Sequence, residues 1–74
     1  MGLRESDFMI IIINGKQESI EMPVSLEALV EAKGLCPEKI VVEHNFSIIA
    51  REDWHKITIK DRDAVEIISF VGGG

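Results

Sequence analysis

The sequence closes with Phe-Val-Gly-Gly-Gly, and the chemistry that this segment could carry lies in the carboxylate of Gly74. Glycine has no Cβ atom, so residues 72–74 can thread a channel that any side chain would block. Three extended residues reach roughly 10 Å, far enough to bring that carboxylate into another protein's active site. Joined to AMP, the carboxylate becomes an acyl group with a good leaving group, open to attack by a sulfur or amine nucleophile. The tail therefore predicts a C-terminal carboxylate that other proteins activate.

The rest of the sequence offers little for catalysis. It contains no glycine-rich phosphate loop, no paired catalytic carboxylates and no Ser-His-Asp order. Cys36 is the only cysteine, and its spacing from His44 and His55 is typical neither of a metal site nor of a Cys-His pair. We expect Cys36 to be a small core or loop residue in a reducing compartment. The body of the chain is predicted to be chemically inert, with no bound metal or cofactor.

Composition narrows the class of partner. The 74 residues are 46% hydrophobic and 28% charged, as in a single small globular domain. Eight Lys and Arg against thirteen Asp and Glu give a formal charge of −5. Such a chain is repelled by nucleic-acid phosphates and by anionic membranes, and no apolar stretch approaches the roughly 20 residues that span a bilayer. We predict a cytoplasmic protein that binds neither nucleic acid nor membrane.

The first half of the chain predicts a hairpin followed by a helix. Residues 8–13, an almost continuous β-branched run, predict a central strand covered on both faces. Asn14 and Gly15 form the strongest short hairpin signal, and residues 16–22 then predict a more polar return strand near an edge. Ser25 is placed to cap a short amphipathic helix, which Gly34 ends.

The second half predicts further strands around a helical turn. Asp61 and Asp63 flank Arg62 in a turn, and surface turn-making explains these carboxylates at least as well as metal binding does. Trp54 is predicted to be the hydrophobic peg of a helical turn over residues 51–55. The remaining predicted extended segments are residues 39–45, 47–50, 57–59 and 64–71, with a turn near 45–46.

The last predicted strand has two different faces. Val65, Ile67 and Val71 alternate with Glu66, Ile68 and Phe70, and we assign the first set to the core. Ile68 and Phe70 would then be exposed beside the tail. Ordering three glycines costs about 1–2 kcal/mol each, so docking of the folded body must offset that cost. We predict Ile68 and Phe70 as the docking surface.

The order of elements predicts an α+β domain, with one main helix on one face of a mixed sheet of about five strands. The first and last strands are the most hydrophobic, and the long connection between them predicts parallel neighbours. This is the β-grasp, or ubiquitin-like, fold. We predict a polar, disordered leader over residues 1–7, the domain over residues 8–71 and a flexible tail over residues 72–74. Met9 is an alternative start.

The chain resembles the ThiS-type sulfur carrier proteins of thiamin biosynthesis from Met9 to Gly74. Four features carry the resemblance: the first strand running into Asn14-Gly15, the Arg-Glu-x-Trp turn at residues 51–54, the segment Asp-Arg-Asp-Ala-Val-Glu-Ile at residues 61–67, and the closing glycines. Gly73 and Gly74 match the family's usual terminal pair, whereas Gly72 is an additional glycine.

The resemblance implies a carrier that catalyses nothing itself. A ThiF-type adenylating enzyme would use ATP to activate Gly74, and a desulfurase system would supply the sulfur for a thiocarboxylate. Thiazole synthase would then take that sulfur for the thiazole ring.

Three alternatives remain open at this point. The small subunit of molybdopterin synthase resembles this chain in fold and tail but passes sulfur to a different acceptor. A protein modifier would use Gly74 to form isopeptide bonds with lysines. A binding module with an idle tail would lose nothing when the last two glycines are deleted.

Overall fold

The computed structural model describes residues 8–21 and 24–70. Seven strands, one α-helix and two 3-10 helices follow one another in these ranges. In chain order they are β1 (Phe8–Ile13), β2 (Lys16–Glu21), β3 (Val24–Ser25), α1 (Leu26–Ala32), a 3-10 helix (Pro37–Lys39), β4 (Ile40–His44), β5 (Ser47–Ile49), a 3-10 helix (Arg51–Lys56), β6 (Thr58–Ile59) and β7 (Ala64–Ser69).

Five of the strands form one mixed sheet in the order β2-β1-β7-β4-β5. The first and last strands are parallel neighbours, with Ile12 opposite Ala64 and Ile13 opposite Val65. All the other pairs in this sheet are antiparallel. The β-grasp fold with α1 as its main helix is thereby confirmed. A second, two-stranded sheet of β3 and β6 was not predicted, because strands of two residues leave no periodic pattern.

The hairpin between β1 and β2 forms at the predicted dipeptide. Asn14 and Gly15 both have positive φ, 51° and 82°, and Ile13 pairs directly with Lys16. Two-residue loops with this backbone match the right-handed twist of the strands that they join. The strong local signal therefore fixes the register of the first two strands.

Helix α1 begins and ends where the sequence predicts. The Oγ of Ser25 accepts a hydrogen bond from the backbone N–H of Ala28 at 3.0 Å. Beyond the last turn, Gly34 has φ of 69°, and Leu35 packs against the core. The helix has seven residues, and none in the described ranges is long and apolar enough to cross a membrane.

The buried apolar side chains of the described residues form one core, which lies between the sheet and α1. Leu26, Leu29 and Val30 are its helical members, and Trp54 closes one side from the second 3-10 helix. The indole N–H of Trp54 donates to the carbonyl of Ile49 at 3.0 Å, so the buried ring has its polar group satisfied. The helical turn and the peg role of Trp54 are confirmed. Ile59 comes from β6 of the two-stranded sheet. The five-stranded sheet contributes the other buried side chains: Met9, Ile11, Ile13, Ile40, Val42 and Val65.

The prediction that β1 is covered on both faces is wrong. Met9, Ile11 and Ile13 are buried, but Phe8 and Ile10 on the other face are 37% and 39% exposed. The helix packs on only one face of the sheet, so an unbroken apolar run does not imply two covering layers. The interior position of β1, between β2 and β7, is confirmed.

The interpretation of Asp63 as a surface turn-maker is also wrong. Arg62 has φ of 75°, which confirms the turn, but Asp63 is buried. Its Oδ2 accepts hydrogen bonds from His44 Nε2 at 2.7 Å and from the backbone N–H of Lys60 at 2.9 Å. Its Oδ1 accepts from Asn45 Nδ2 at 3.1 Å. The carboxylate thus ties the entrance of β7 to the end of β4.

These contacts set the ionisation of Asp63. Burial by itself raises the pKa of the Asp63 carboxyl, but the hydrogen bonds from His44, Lys60 and Asn45 outweigh burial and lower the pKa below its ordinary value. A carboxyl group with a lowered folded-state pKa stabilises the fold at any pH above its unfolded pKa of about 3.9. That stabilisation is lost as the pH falls through the lower, folded-state value.

We therefore predict that Asp63→Asn lowers the free energy of unfolding by about 1–3 kcal/mol at pH 7, because all three donors to the Asp63 carboxylate lose a charged acceptor. The difference from the unaltered protein should shrink as the pH falls below about 4. Urea unfolding at a series of pH values measures this difference in the free energy of unfolding. Asp53→Asn is the control, because Asp53 makes only an exposed ion pair with Lys56 at 3.3 Å. An Asp63→Asn effect that stays constant from pH 7 to pH 3 would contradict the assignment.

Candidate functional site

The strand that leads to the glycine tail is the middle strand of the five-stranded sheet. β7 is bonded to β1 on one side and to β4 on the other. After β7 ends, the backbone N–H of Phe70 still donates to the carbonyl of Lys39 at 3.0 Å. Phe70 is the last described residue, so hydrogen bonds hold the chain as far as the structure describes it.

Asn14 extends this support past the end of β1. Its backbone N–H donates to the carbonyl of Val65 at 2.9 Å, and its side-chain Oδ1 accepts from the backbone N–H of Ile67 at 2.7 Å. The turn residue thereby replaces the strand partner that β7 would otherwise lack on this side. The Asn-Gly signal predicted a hairpin, but it did not predict this second task of Asn14.

The face of the sheet turned away from α1 carries exposed apolar side chains near the tail. Ile68 and Phe70 are 47% and 49% exposed, which confirms the predicted orientation of both. Val41 lies opposite Ile68 and is half-buried, and Ile48 on β5 is 70% exposed. The role of Ile68 and Phe70 in docking stays a prediction.

Two carboxylates interrupt this apolar face. Glu43 on β4 is directly opposite Glu66 on β7, and Glu43 is also opposite Ile48. Paired residues in a ladder present their side chains on the same face, with Cβ atoms about 5 Å apart. In the described ranges, the ion pairs involve neither glutamate. We call the set Val41, Glu43, Ile48, Glu66, Ile68 and Phe70 the outward patch.

The sequence predicted only two of these six residues as a surface. The alternation of Val41 and Glu43 with buried neighbours was available as a signal, but nothing local shows that β4 rather than β1 lies beside Ile68. Val71 and the tail residues Gly72, Gly73 and Gly74 lie outside the described residues, as does the leader over residues 1–7. The predictions made for them stay predictions.

Cys36 was expected to be a core or a loop residue, and it is an exposed loop residue. Its thiol donates to Glu38 Oε1 at 3.2 Å, and Arg51 lies 3.6 Å from the same carboxylate. These contacts, the Cys36 hydrogen bond first, lower the pKa of the Glu38 carboxyl. Within residues 8–21 and 24–70, no three His, Cys, Asp or Glu side chains come together as metal ligands.

Known proteins resemble this chain in both sequence and structure. A thiazole synthase of Paramagnetospirillum magneticum is 32% identical over 66 residues, which are 89% of this chain but only 20% of that protein. The chain thus spans about a fifth of the length of that relative. The sulfur carrier protein ThiS of Bacillus subtilis is 49% identical over 35 residues, 47% of this chain and 53% of that one.

The structural similarity covers almost the whole domain. The crystal structure of the thiamine biosynthesis protein ThiS from Geobacter metallireducens superposes with a TM-score of 0.78 at 33% identity. The match covers 89% of this chain and 100% of that one. The sequence profile of the ThiS family matches residues 9–74, a range that includes the outward patch and the three glycines. On these grounds the chain belongs to the ThiS family.

Proposed function

We propose that this protein is a sulfur carrier of thiamin biosynthesis, and that the carboxylate of Gly74 is the group that carries the sulfur. The observation that supports this most strongly is the extent of the family match, which runs from the first strand through Gly74. The Bacillus subtilis relative is described as a sulfur carrier, and the Geobacter structure as a thiamine biosynthesis protein. The carrier is a substrate of its partner enzymes rather than a catalyst.

The proposed chemistry has three steps: adenylation of the carboxylate, transfer of sulfur to the acyl carbon and reduction of the product. A carboxylate oxygen of Gly74 attacks the α-phosphorus of ATP on a ThiF-type adenylating enzyme, and pyrophosphate leaves. The terminal sulfur of a persulfide from a desulfurase system attacks the acyl carbon, and AMP leaves with the bonding electron pair. A thiol then attacks the inner sulfur of the resulting acyl disulfide. The former terminal sulfur leaves with the acyl group as the thiocarboxylate, and the thiol and the inner sulfur are joined in a disulfide.

Thiazole synthase is the proposed acceptor of the sulfur. Two proteins described as thiazole synthases, from Paramagnetospirillum magneticum and Magnetococcus marinus, contain a segment similar to almost all of this chain. A carrier domain within the same polypeptide as a synthase raises the effective concentration of the one for the other. This likeness favours thiazole synthase as a partner of the present chain.

The described residues suit a passive role in this chemistry. A tail that enters a narrow active site needs a rigid base, and the hydrogen bonds of β7 and Phe70 supply one. Fixing the base reduces the conformational entropy that is lost when the tail is ordered in a partner. The exposed Ile68 and Phe70 flank that base and would supply apolar contact area for docking.

The central prediction concerns the mass of the intact protein. After incubation with ATP, the adenylating enzyme, a desulfurase and a sulfur source, the mass should increase by the difference between one sulfur and one oxygen atom. Tandem fragmentation should place that increase on Gly74. The chain without Gly73 and Gly74 is the control and should keep its mass, because removal of Gly74 alone would leave another terminal pair of glycines. An unchanged mass of the full chain, with enzymes that modify another ThiS-family carrier in parallel, would refute the proposal.

The docking role of the apolar pair is tested with two matched substitutions. Ile68→Ser should raise the KM for the carrier in adenylation about ten-fold, which corresponds to about 1.4 kcal/mol of lost docking energy. Ile10→Ser is the control, because Ile10 is 39% exposed on the same face but pairs alongside Arg62, about 20 Å from Ile68 along the strands.

Both changes remove a half-exposed isoleucine and should destabilise the fold by a similar amount, about 1 kcal/mol. Any difference between their KM values therefore reports docking rather than folding. Equal KM values for Ile68→Ser and Ile10→Ser would remove Ile68 from the docking surface.

A further inference from the structure

The outward patch places two like charges in directly opposed positions of the sheet, a pairing that the fold itself does not need. Glu43 and Glu66 face each other directly across the β4–β7 ladder. Like charges in directly opposed positions of a ladder destabilise a sheet, whereas most apolar or polar pairs stabilise it. Elsewhere in the described residues a glutamate of the sheet has a cationic partner, as Glu18 has in Lys33 at 2.9 Å. Among the ion pairs of the described residues, none relieves Glu43 or Glu66.

The two carboxylates are surrounded by apolar side chains. Ile68 and Val41 form the next outward pair along the same two strands, and Ile48 lies opposite Glu43 on β5. Ile68 and Ile48 are 47% and 70% exposed, so a partner that covered them would also take the carboxylates out of water. A carboxylate removed from water without a counter-charge is costly, and a basic side chain of the partner would offset that cost.

Charge decides between the possible occupants of the outward patch. A second copy of this chain, packed face to face, would bring four carboxylates together, and the chain as a whole carries a formal charge of −5. An anionic membrane surface is excluded for the same reason. A protein face that presents arginine or lysine within an apolar surround is the occupant that the charges fit.

We propose that the outward patch docks on the adenylating enzyme, and that Glu43 and Glu66 together receive a basic side chain of that enzyme. This inference rests on the proposed function. Arg and Lys are the side chains that bind the anionic triphosphate of ATP, and a basic surface beside such a site would complement the two carboxylates of the outward patch. Glu66 lies four residues before Phe70, about 13 Å along the chain, and is thus close to where the tail would enter that site.

The test compares two double variants that remove the same charge. Glu43→Gln/Glu66→Gln alters the patch, and Glu31→Gln/Glu52→Gln alters exposed residues on α1 and on the Arg51–Lys56 helix, away from the patch. Calorimetry measures the affinity of each full-length chain for the adenylating enzyme at low and at physiological salt. The free energy of unfolding of each chain and its thiocarboxylate formation are measured on the same preparations.

We expect the patch variant to bind about ten-fold more weakly than the control variant, and to lose most of the salt dependence of binding. It should be no less stable than the unaltered chain, because a repulsion has been removed. Equal affinities of the two variants would overturn the proposal, as would a loss of affinity for thiazole synthase alone.

These measurements distinguish a failure of the proposed docking surface from a failure of the proposed sulfur-carrier function. Charge-dependent binding of the unaltered chain without thiocarboxylate formation would support the docking surface and refute the sulfur carrier. Thiocarboxylate formation with equal KM values for the two double variants would support the carrier and refute the acid pair. An unaltered chain that does not bind the enzyme at all would overturn the docking proposal directly.

Discussion

The parallel pairing of β1 with β7 is the constraint on which the rest of the structure depends. It places the last strand in the middle of the sheet, where both of its edges are bonded, rather than at an edge where it could fray. Parallel neighbours need a long crossover, and here the crossover contains α1, the two-stranded sheet and the Arg51–Lys56 helix. The same pairing therefore gathers the core on one face and leaves the other face open.

Polar side chains hold this arrangement at the points where strands end. Asp63 joins the entrance of β7 to His44 and Asn45 at the end of β4, and Asn14 supports Ile67 where β1 has already turned away. Each bond satisfies a backbone or side-chain group that would otherwise be left unpaired at a strand end. A domain of this size has little stability to spare, so such contacts carry a large share of it.

Local signals in the sequence predicted most of the fold. Asn14-Gly15, Ser25, Gly34 and the single Trp54 each act within a few residues, and each marked its element correctly. The predictions failed where the answer depended on distant partners. The apolar run of β1 gave no sign that one face lacks a covering layer, and Asp63 gave no sign that His44, nineteen residues away, would bury it. For the same reason Ile68 and Phe70 were found from alternation within one strand, whereas Val41, Glu43 and Ile48 required knowledge of which strand lies beside β7.

The separation of the two faces bears on how a carrier can serve several partners in turn. Under the proposed function, the adenylating enzyme and thiazole synthase must each hold the same tail and then release it, so neither complex can be very tight. A small apolar patch around paired charges suits this need, because charges increase the rate of association while a limited contact area keeps dissociation fast. The core, the helix and the Asp63 contacts are on the other side of the sheet or at strand ends. The outward patch can therefore be adjusted to its partners, even at the cost of an unfavourable Glu43–Glu66 pair, without disturbing the contacts that keep the domain folded.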